Sequence, residues 1–289
     1  MEKLILNGKL IGREQASIDI EDRGYQFGDG IYEVIRVYGG RLFANEAHLR
    51  RLYSSAEKLS LDIPYTAQEL TEQIEALVRG NGLDTGIVYL QFTRGAAHRK
   101  HSFPEKSETV FVAYTNELER PLHQLEHGIQ AVLTEDIRWL RCDIKSLNLL
   151  GNVLAKQKAA ENGCGEAVQH RGEIVTEGSS SNVFIVKNGE LITHPLSNLI
   201  LNGITRQVIL DICEKQQLPV REETFTIRQL FDADEAFISS TTSEVMPVVQ
   251  INDQKIGSGK PGAVTRKLQG YFKERMDQLT KAITTGPAE

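Results

Sequence analysis

Residues 139–150 read Trp139-Leu-Arg-Cys-Asp-Ile-Lys145-Ser-Leu-Asn-Leu-Leu150, and they contain a single lysine among apolar neighbours. Ile144 and Leu147 lie on either side of that lysine. Burial penalises the ammonium form of a lysine, so a lysine held in such a segment can act as a nucleophilic amine toward carbonyl groups. We therefore interpret Lys145 as a candidate Schiff-base lysine. The alternative is a solvated lysine at the start of an amphipathic helix.

The composition is that of an ordinary globular protein with one or two domains, since 289 residues include 40% hydrophobic and 25% charged side chains. The net charge of -6 and the absence of any Lys/Arg run argue against nucleic acid and anionic membranes as partners. The three cysteines are scattered, so we expect neither a disulfide framework nor a metal site. With no apolar run of signal-peptide or membrane-spanning length, we expect a cytoplasmic protein.

The first part of the chain alternates between strand and helix patterns. Asn7-Gly8 predicts a type I′ turn between two short strands. Residues 32–38 predict a strand that ends at Gly39-Gly40. Apolar spacing predicts a helix over 45–60 with Asn45 as its N-cap, and Thr66-Ala-Gln-Glu69 predicts a capping box for a second helix that ends near Gly80 or Gly82. Strands follow at 87–93 and 109–114.

A charged segment that ends in Pro121 separates the two halves. We place a small N-terminal domain at 1–117, a linker at 118–121 and a larger C-terminal domain at 122–289. The predicted elements of the second half are a strand at 129–133, a helix at 147–162, hairpins over Arg171-Gly172 and Asn188-Gly189, a helix from about 204 and a strand at 235–239. We expect a frayed tail at 284–289.

Two motifs carry a resemblance to a known family. Residues 141–152 read Arg-Cys-Asp-Ile-Lys-Ser-Leu-Asn-Leu-Leu-Gly-Asn, and residues 176–184 read Thr-Glu-Gly-Ser-Ser-Ser-Asn-Val-Phe. Together they resemble the pyridoxal-phosphate (PLP) enzymes of fold type IV. The resemblance implies a mixed α and β fold with two domains, a small α/β sandwich and a larger α/β pseudo-barrel, and it covers nearly the whole chain.

PLP chemistry needs a lysine, a partner for the pyridine nitrogen and a phosphate site. Residues 202–206, Asn-Gly-Ile-Thr-Arg, precede an amphipathic helix whose first-turn amides can bind an anion, although an ordinary N-cap is the simpler interpretation. In the family, the lysine forms the Schiff base and the glutamate faces the ring nitrogen. The resemblance thus implies cofactor contacts by Arg51, Lys145, Glu177, Ser180, Leu201, Ile204, Thr205, Ser240 and Thr241.

The substrate motifs are most similar to those of the D-amino-acid aminotransferase branch. They are Asp22-Arg-Gly-Tyr-Gln-Phe-Gly-Asp-Gly-Ile-Tyr32 and Arg99-Lys-His101. The resemblance implies that Tyr32, Arg99 and His101 bind the substrate α-carboxylate, for which arginine and a second donor are chemically suited. In this branch the arginine and histidine reach into the neighbouring subunit's site, which implies a homodimer.

The implied reaction is transamination between D-amino acids and 2-oxo acids, with Lys145 also moving the proton. D-alanine and 2-oxoglutarate are the typical pair; they give pyruvate and D-glutamate, a bacterial cell-wall precursor, by ping-pong kinetics. Within the same fold, a branched-chain L-amino-acid aminotransferase and an aminodeoxychorismate lyase stay open as alternatives. A PLP carrier without turnover is a further alternative, and so is a serine hydrolase built on 179–181, although the string lacks the Gly-x-Ser-x-Gly elbow.

Overall fold

The computed structural model describes residues 2–281, and its contacts divide them into two units. The first unit comprises residues 2–119, 144–148 and 278–281, and the second comprises 120–143 and 149–277. Both units are discontinuous in sequence, and the domain limits predicted above stay a prediction. The tail expected at 284–289 lies outside the described residues. None of the helices in the described part combines the length and apolar content that a membrane crossing requires.

The first unit is built on one antiparallel sheet with the strand order β2-β1-β6-β5-β3-β4. Its strands are β1 (Lys3–Leu6), β2 (Lys9–Gly12), β3 (Gly30–Tyr38), β4 (Arg41–Leu42), β5 (Gly86–Thr93) and β6 (Val110–Glu117). Its helices are α1 (Arg23–Phe27), α2 (Asn45–Lys58) and α3 (Ala67–Asn81). The predicted turn over Asn7-Gly8 is confirmed, since both residues have the positive φ angles, 50° and 78°, that a type I′ turn needs.

Capping explains the limits of the helices in this unit. The predicted capping box is confirmed: the Thr66 amide donates to Glu69 Oε2 at 2.7 Å, and the Glu69 amide donates to Thr66 Oγ1 at 3.2 Å. Gly82 ends α3 in the left-handed conformation. The prediction of Asn45 as N-cap is wrong, because Ala44 occupies that position with φ 52°. Asn45 lies inside the helix and donates to Thr71 Oγ1 at 2.8 Å instead.

Strand β3 has one face in the core and one face away from it. Ile31, Ile35 and Val37 pack in the core with apolar residues of α2 and α3. Side chains alternate along a strand, so Tyr32 and the other even-numbered residues point to the opposite face. On that face the Tyr32 ring stacks on Tyr89 of β5 at a centroid distance of 5.7 Å.

The second unit is built on a mixed sheet with the strand order β12-β11-β10-β13-β14-β7-β8-β9, with β15 beside β14. Its strands are β7 (Ile129–Glu135), β8 (Glu166–Arg171), β9 (Ile174–Gly178), β10 (Asn182–Lys187), β11 (Glu190–Thr193), β12 (Val220–Glu222), β13 (Glu235–Ser240), β14 (Glu244–Ile251) and β15 (Gln254–Lys255). Its helices are α4 (Leu122–His127), α5 (Leu150–Glu161), α6 (Ile204–Lys215), α7 (Ile227–Phe231) and α8 (Ala263–Lys281), whose last residues belong to the first unit. The predicted mixed α and β class is confirmed. Six elements of this unit are not predicted from the sequence: α4, α7, α8, β12, β14 and β15.

The lysine segment begins as strand-like backbone, not as helix. Ser146 forms an isolated antiparallel bridge with Ile31, and the Leu147 amide donates to the Gly30 carbonyl at 2.9 Å. Because these groups are already bonded to β3, the helix predicted from residue 147 begins only at Leu150. Residues 144–148 therefore pack as part of the first unit.

Candidate active site

Lys145 lies in the first unit, beside the start of β3. Its carbonyl oxygen accepts a hydrogen bond from the Tyr32 amide at 3.1 Å, and its own amide donates to Ser55 Oγ at 3.2 Å. The side chain is half-buried and places Nζ 4.0 Å from the centroid of the Tyr32 ring, where the ring face attracts a cation. The structure thus brings together the predicted Schiff-base lysine and a predicted substrate-binding tyrosine.

Arg51 is oriented by a buried carboxylate. Nε and Nη2 of Arg51 donate to the two oxygens of Glu33 at 2.7 and 2.8 Å, and His48 Nδ1 lies 2.8 Å from Glu33 Oε2. Burial acts to raise the pKa of Glu33, but Arg51 and His48 outweigh it and lower that pKa to about 2. Burial lowers the pKa of His48 despite Glu33, and the charges of Arg51 and Lys145 add to that effect.

Glu33 and His48 are not among the site residues predicted from the sequence. Glu33 has an odd number in β3, so it shares the core face with Ile31 and Ile35 and is fully buried. A charged residue at a core position of a strand pattern was the available signal, because such a residue needs a buried partner.

Arg99 and His101 lie exposed on the segment between β5 and β6 of the first unit. The Arg99 Cζ atom is 4.5 Å from the centroid of the Phe27 ring, and the His101 ring centroid is 5.7 Å from it. Buried Arg23 fixes this segment by donating from Nη1 to the Lys100 carbonyl at 2.7 Å. Within residues 2–281, the ring contacts of the pair are thus with Phe27 and not with Tyr32.

Glu177 lies on β9 in the second unit and is 4% exposed. Asn182 Nδ2 and the Leu201 amide each donate to its Oε2 atom at 3.0 Å, and Arg138 Nη1 contacts its Oε1 atom. Burial raises the pKa of Glu177, and Arg138 and the Leu201 amide oppose part of that rise. A buried acid in this state is suited to share a proton with a basic nitrogen.

Arg138 connects Glu177 to a second buried acid. Its Nε and Nη2 atoms donate to Asp136 Oδ1 and Oδ2 at 2.9 and 2.8 Å. Burial opposes the charge of Arg138, but Asp136 and Glu177 outweigh it and raise the pKa of the guanidinium. Burial likewise acts to raise the pKa of Asp136, yet Arg138 and Arg171 lower it to about 2. Asp136 and Arg138 are not predicted from the sequence, although Arg138 directly precedes the lysine stretch.

The N-terminus of α6 is joined to Glu177 through Asn182. Asn182 Nδ2 donates to the Leu201 carbonyl at 2.8 Å as well as to Glu177. A Cβ atom at Gly203, the N-cap of α6, would lie 2.0 Å from Asn182 Oδ1, so any other residue there would have to displace the Asn182 side chain. Ile204 and Thr205 follow as buried residues of the first turn, and no side chain of the described residues caps that turn. The first-turn amides therefore have the arrangement that the predicted phosphate site requires.

The other predicted serine and threonine ligands lie in two separate segments of the second unit. Ser180 is exposed between β9 and β10. Ser240 ends β13 and its Oγ accepts a hydrogen bond from the Ser243 amide at 3.0 Å, and half-buried Thr241 follows it.

The neighbours of Ser180 bear on the hydrolase alternative. Ser181 Oγ donates to buried Glu166 at 2.7 Å, and Ser179 Oγ also contacts that carboxylate. Both hydroxyls are thus bound to an acid and not to a histidine, which disfavours a hydrolase nucleophile at these two positions.

Each unit, taken by itself, offers groups that suit part of PLP. PLP combines an aldehyde, a pyridine nitrogen and a phosphate. The chain offers a half-buried amine at Lys145, a buried carboxylate at Glu177, and uncapped amides at the start of α6 beside a glycine that has no room for a side chain. Each of these groups matches one functional group of the cofactor.

Comparison of the sequence with known proteins identifies a family and close relatives. Residues 30–251 match the amino-transferase class IV family. The chain is 52% identical over 275 residues to the D-alanine aminotransferase of Staphylococcus epidermidis, covering 95% of this chain and 98% of that protein. It is also 52% identical over 283 residues to the D-alanine aminotransferase of Listeria monocytogenes, covering 97% of each.

Solved structures show the same fold. The branched-chain amino acid aminotransferase of Escherichia coli matches with a TM-score of 0.90 at 26% identity, covering 94% of each chain. A T.th. branched-chain amino acid aminotransferase, in a structure with pyridoxamine 5′-phosphate, matches with a TM-score of 0.90 at 27% identity, covering 95% of this chain and 94% of that one. With a family match over most of its length and relatives that are half identical, the chain belongs to the class IV aminotransferases.

Proposed function

We propose that the protein is a PLP-dependent aminotransferase for D-amino acids. Its typical reaction converts D-alanine and 2-oxoglutarate into pyruvate and D-glutamate in two half-reactions with ping-pong kinetics. The observation that carries this proposal is the position of Lys145 Nζ, 4.0 Å from the centre of the Tyr32 ring. This position places the amine that would carry out the chemistry next to Tyr32, a side chain expected to bind the substrate.

Lys145 performs two tasks in this proposal. Its amine is the attachment point of the cofactor, and after substrate has bound it takes the proton from the substrate Cα. PLP, when bound, supplies an electron sink that stabilises negative charge at that carbon. Tyr32 positions the substrate carboxylate beside the amine. Arg51, oriented by Glu33, binds the phosphate.

The second unit supplies the remaining cofactor contacts. Glu177 would face the pyridine nitrogen and, as a carboxylate, stabilise its protonated form; Arg138 and the Leu201 amide support this role because they favour the ionised state of this buried acid. Leu201 packs against the ring. The phosphate would be bound by amides and hydroxyls of Ile204, Thr205, Ser240 and Thr241. Ser180, in the β9–β10 turn, is a further cofactor contact.

We further propose a homodimer in which Arg99 and His101 complete the carboxylate site of the neighbouring subunit. Their exposure, and the fixation of their loop by Arg23, support such a role, because both side chains are available to a second chain. A cytoplasmic location is consistent with the three free cysteines, which a reducing compartment maintains.

The choice of D-amino acids over branched-chain L-amino acids rests on sequence more than on fold. The solved branched-chain enzymes share the fold at 26–27% identity, whereas the D-alanine aminotransferases are 52% identical to this chain. Arg99 and His101, at the spacing of the D-specific branch, add to this preference.

An amino-donor screen with both enantiomers tests the proposal. With 2-oxoglutarate as acceptor, we expect D-alanine to react and L-alanine and L-leucine to react at least about 100-fold more slowly. A Lys145→Ala variant should retain the fold and lose turnover of every donor. Preferential reaction of L-leucine would instead identify a branched-chain enzyme, and release of pyruvate from aminodeoxychorismate would identify a lyase. Cofactor binding without turnover of any donor would leave a PLP carrier.

A further inference from the structure

Arg36 on β3 is 1% exposed, and its guanidinium has no hydrogen-bond partner in the described part of the chain. Nε, Nη1 and Nη2 are all buried without a partner among residues 2–281. A guanidinium keeps its positive charge, and burial of an unpaired charge is strongly unfavourable. The arrangement becomes favourable only when an anion reaches this group.

Other buried arginines of the first unit do have partners. Arg23 and Arg94 are 3% and 6% exposed, and both donate from Nε to Asp29 Oδ2, at 2.7 and 2.9 Å. Arg36 instead has its Cζ atom 5.1 Å from the centroid of the Tyr38 ring. That contact accommodates the charge but satisfies none of the N–H groups. The unsatisfied guanidinium is therefore specific to Arg36 and is not a general feature of buried arginines in this unit.

The position of Arg36 relates it to the reacting amine. Tyr32 and Arg36 have even numbers in β3, so their side chains leave the strand on the same face. In an extended strand their Cα atoms are about 13 Å apart, a span that an arginine side chain and a five-carbon acid together can cover. A substrate that reacts at Lys145, beside Tyr32, and extends along this face of β3 would present its far end to Arg36.

We propose that Arg36 binds the second carboxylate of dicarboxylic substrates, such as 2-oxoglutarate and D-glutamate. A planar carboxylate accepts two parallel hydrogen bonds from one guanidinium, so this ligand would satisfy the unpaired N–H groups. The inference rests on the proposed aminotransferase function and adds to it the recognition of the acidic co-substrate. A monocarboxylic substrate such as D-alanine would not reach Arg36.

The kinetic test uses Arg36→Met, which keeps an unbranched side chain without charge. With D-alanine as donor, we expect the Michaelis constant for the acceptor 2-oxoglutarate to rise at least about tenfold, and that for the monocarboxylic acceptor 2-oxobutyrate to stay within about twofold. Arg36→Lys keeps the charge but loses the planar fork, so it should give an intermediate Michaelis constant for 2-oxoglutarate. An equal rise for both acceptors would overturn the proposal, because it would place Arg36 at the α-carboxylate.

A second measurement does not depend on turnover. Glutarate has two carboxylates and neither an amino nor a keto group, so it probes the site without reacting. We expect glutarate to raise the Tm of the wild-type holoenzyme and to leave the Tm of Arg36→Met unchanged. An equal shift in both proteins would overturn the proposal. If the wild type bound glutarate in this way but transaminated no D-amino acid, the proposed function would fail while the carboxylate site at Arg36 would stand.

The stability of the protein without substrate distinguishes a ligand from an internal partner. If Arg36 is unpaired until substrate binds, Arg36→Met should raise the Tm of the substrate-free protein, because it removes an unpaired buried charge. The matched control is Arg94→Met. It should lower the Tm because it removes the hydrogen bonds that Arg94 donates to Asp29 and to two backbone carbonyls. A lower Tm for Arg36→Met as well would show that a carboxylate of the protein, for example from a second subunit, already pairs with Arg36, and would overturn the proposal.

Discussion

Glu177 is bound to an arginine that has another acid to pair with. Arg138 donates through two nitrogens to Asp136 and contacts Glu177 through the third. Asp136 therefore keeps the guanidinium paired whether Glu177 is charged or neutral. The proton on Glu177 can change without leaving a buried charge unpaired, which is what a partner of a titrating ring nitrogen requires.

Glu177→Gln tests this role of the carboxylate. The substitution keeps the shape of the side chain and removes its charge, so we expect kcat for D-alanine to fall at least about 100-fold while KM changes little. Because Arg138 stays paired with Asp136, the unfolding temperature should change by no more than a few degrees. Glu173→Gln, at an exposed position next to β9, is the control and should leave kcat unaltered. Similar kcat values for the two variants would remove Glu177 from the proposed role.

The sequence motifs predict Lys145 and Glu177 as site residues, but they do not predict the residues that contact Glu177. Lys145 and Glu177 lie in strings that are recognisable without a structure. Asp136, Asn182 and Arg36 matter through their contacts or their lack of contacts, and those depend on strand register and burial. An arginine in an alternating strand pattern gives no indication in the sequence of whether a buried carboxylate lies opposite it.

At the level of elements, the start of α6 depends on a residue without a side chain. Gly203 precedes the helix with an ordinary φ of -65°, so it is not required for an unusual backbone conformation. It is required because Asn182 Oδ1 occupies the space that a Cβ atom would need. Asn182 in turn donates to both Glu177 and the Leu201 carbonyl. The start of α6 and the position of Glu177 are thus set by the same amide side chain.

Gly203→Ala should disturb the start of α6 and the position of Glu177 together. The added Cβ atom would displace Asn182 and break its hydrogen bonds, so we expect a loss of about 1–3 kcal/mol in the free energy of unfolding and weaker retention of PLP on dialysis. Gly270→Ala is the matched control. Gly270 lies in α8, and among residues 2–281 no heavy atom beyond the adjacent helix backbone lies within 4 Å of an added Cβ, so this substitution should stabilise the protein by about 0.5–1 kcal/mol. Urea unfolding and PLP absorbance measure the two effects; unchanged PLP retention in Gly203→Ala would contradict the link to the cofactor.

Elements with local signals were predictable, and elements set by long-range contacts were not. The Asn188-Gly189 turn and the Thr66 capping box are specified by neighbouring residues, and both occur as predicted. The start of α5 is different, because the Leu147 amide is taken by the Gly30 carbonyl, more than a hundred residues earlier in the chain. No local pattern at residue 147 indicates that partner.

At the level of the whole molecule, each unit contains a buried acid whose charge is stabilised by arginine. Glu33 in the first unit pairs with Arg51, and Asp136 in the second pairs with Arg138. The pKa of each carboxyl is about 2, below the ordinary values of 4.5 and 3.8. The native state thus binds fewer protons than the unfolded state between those values and about pH 2, so acid weakens both units.

The pH dependence of stability follows from this difference. A lowered carboxyl pKa contributes stability that is complete above the unfolded pKa and is lost as pH falls through the folded pKa. For Glu33 the contribution is of the order of 3 kcal/mol, lost between about pH 4.5 and pH 2. Glu33→Gln should therefore lower the free energy of unfolding at about pH 6 and flatten its decline in acid. Glu46→Gln, at an exposed acid of α2, should keep the wild-type profile. Urea unfolding at stepped pH measures the slope, and a parallel decline in wild type and Glu33→Gln would mean that Glu33 is not a source of the acid sensitivity.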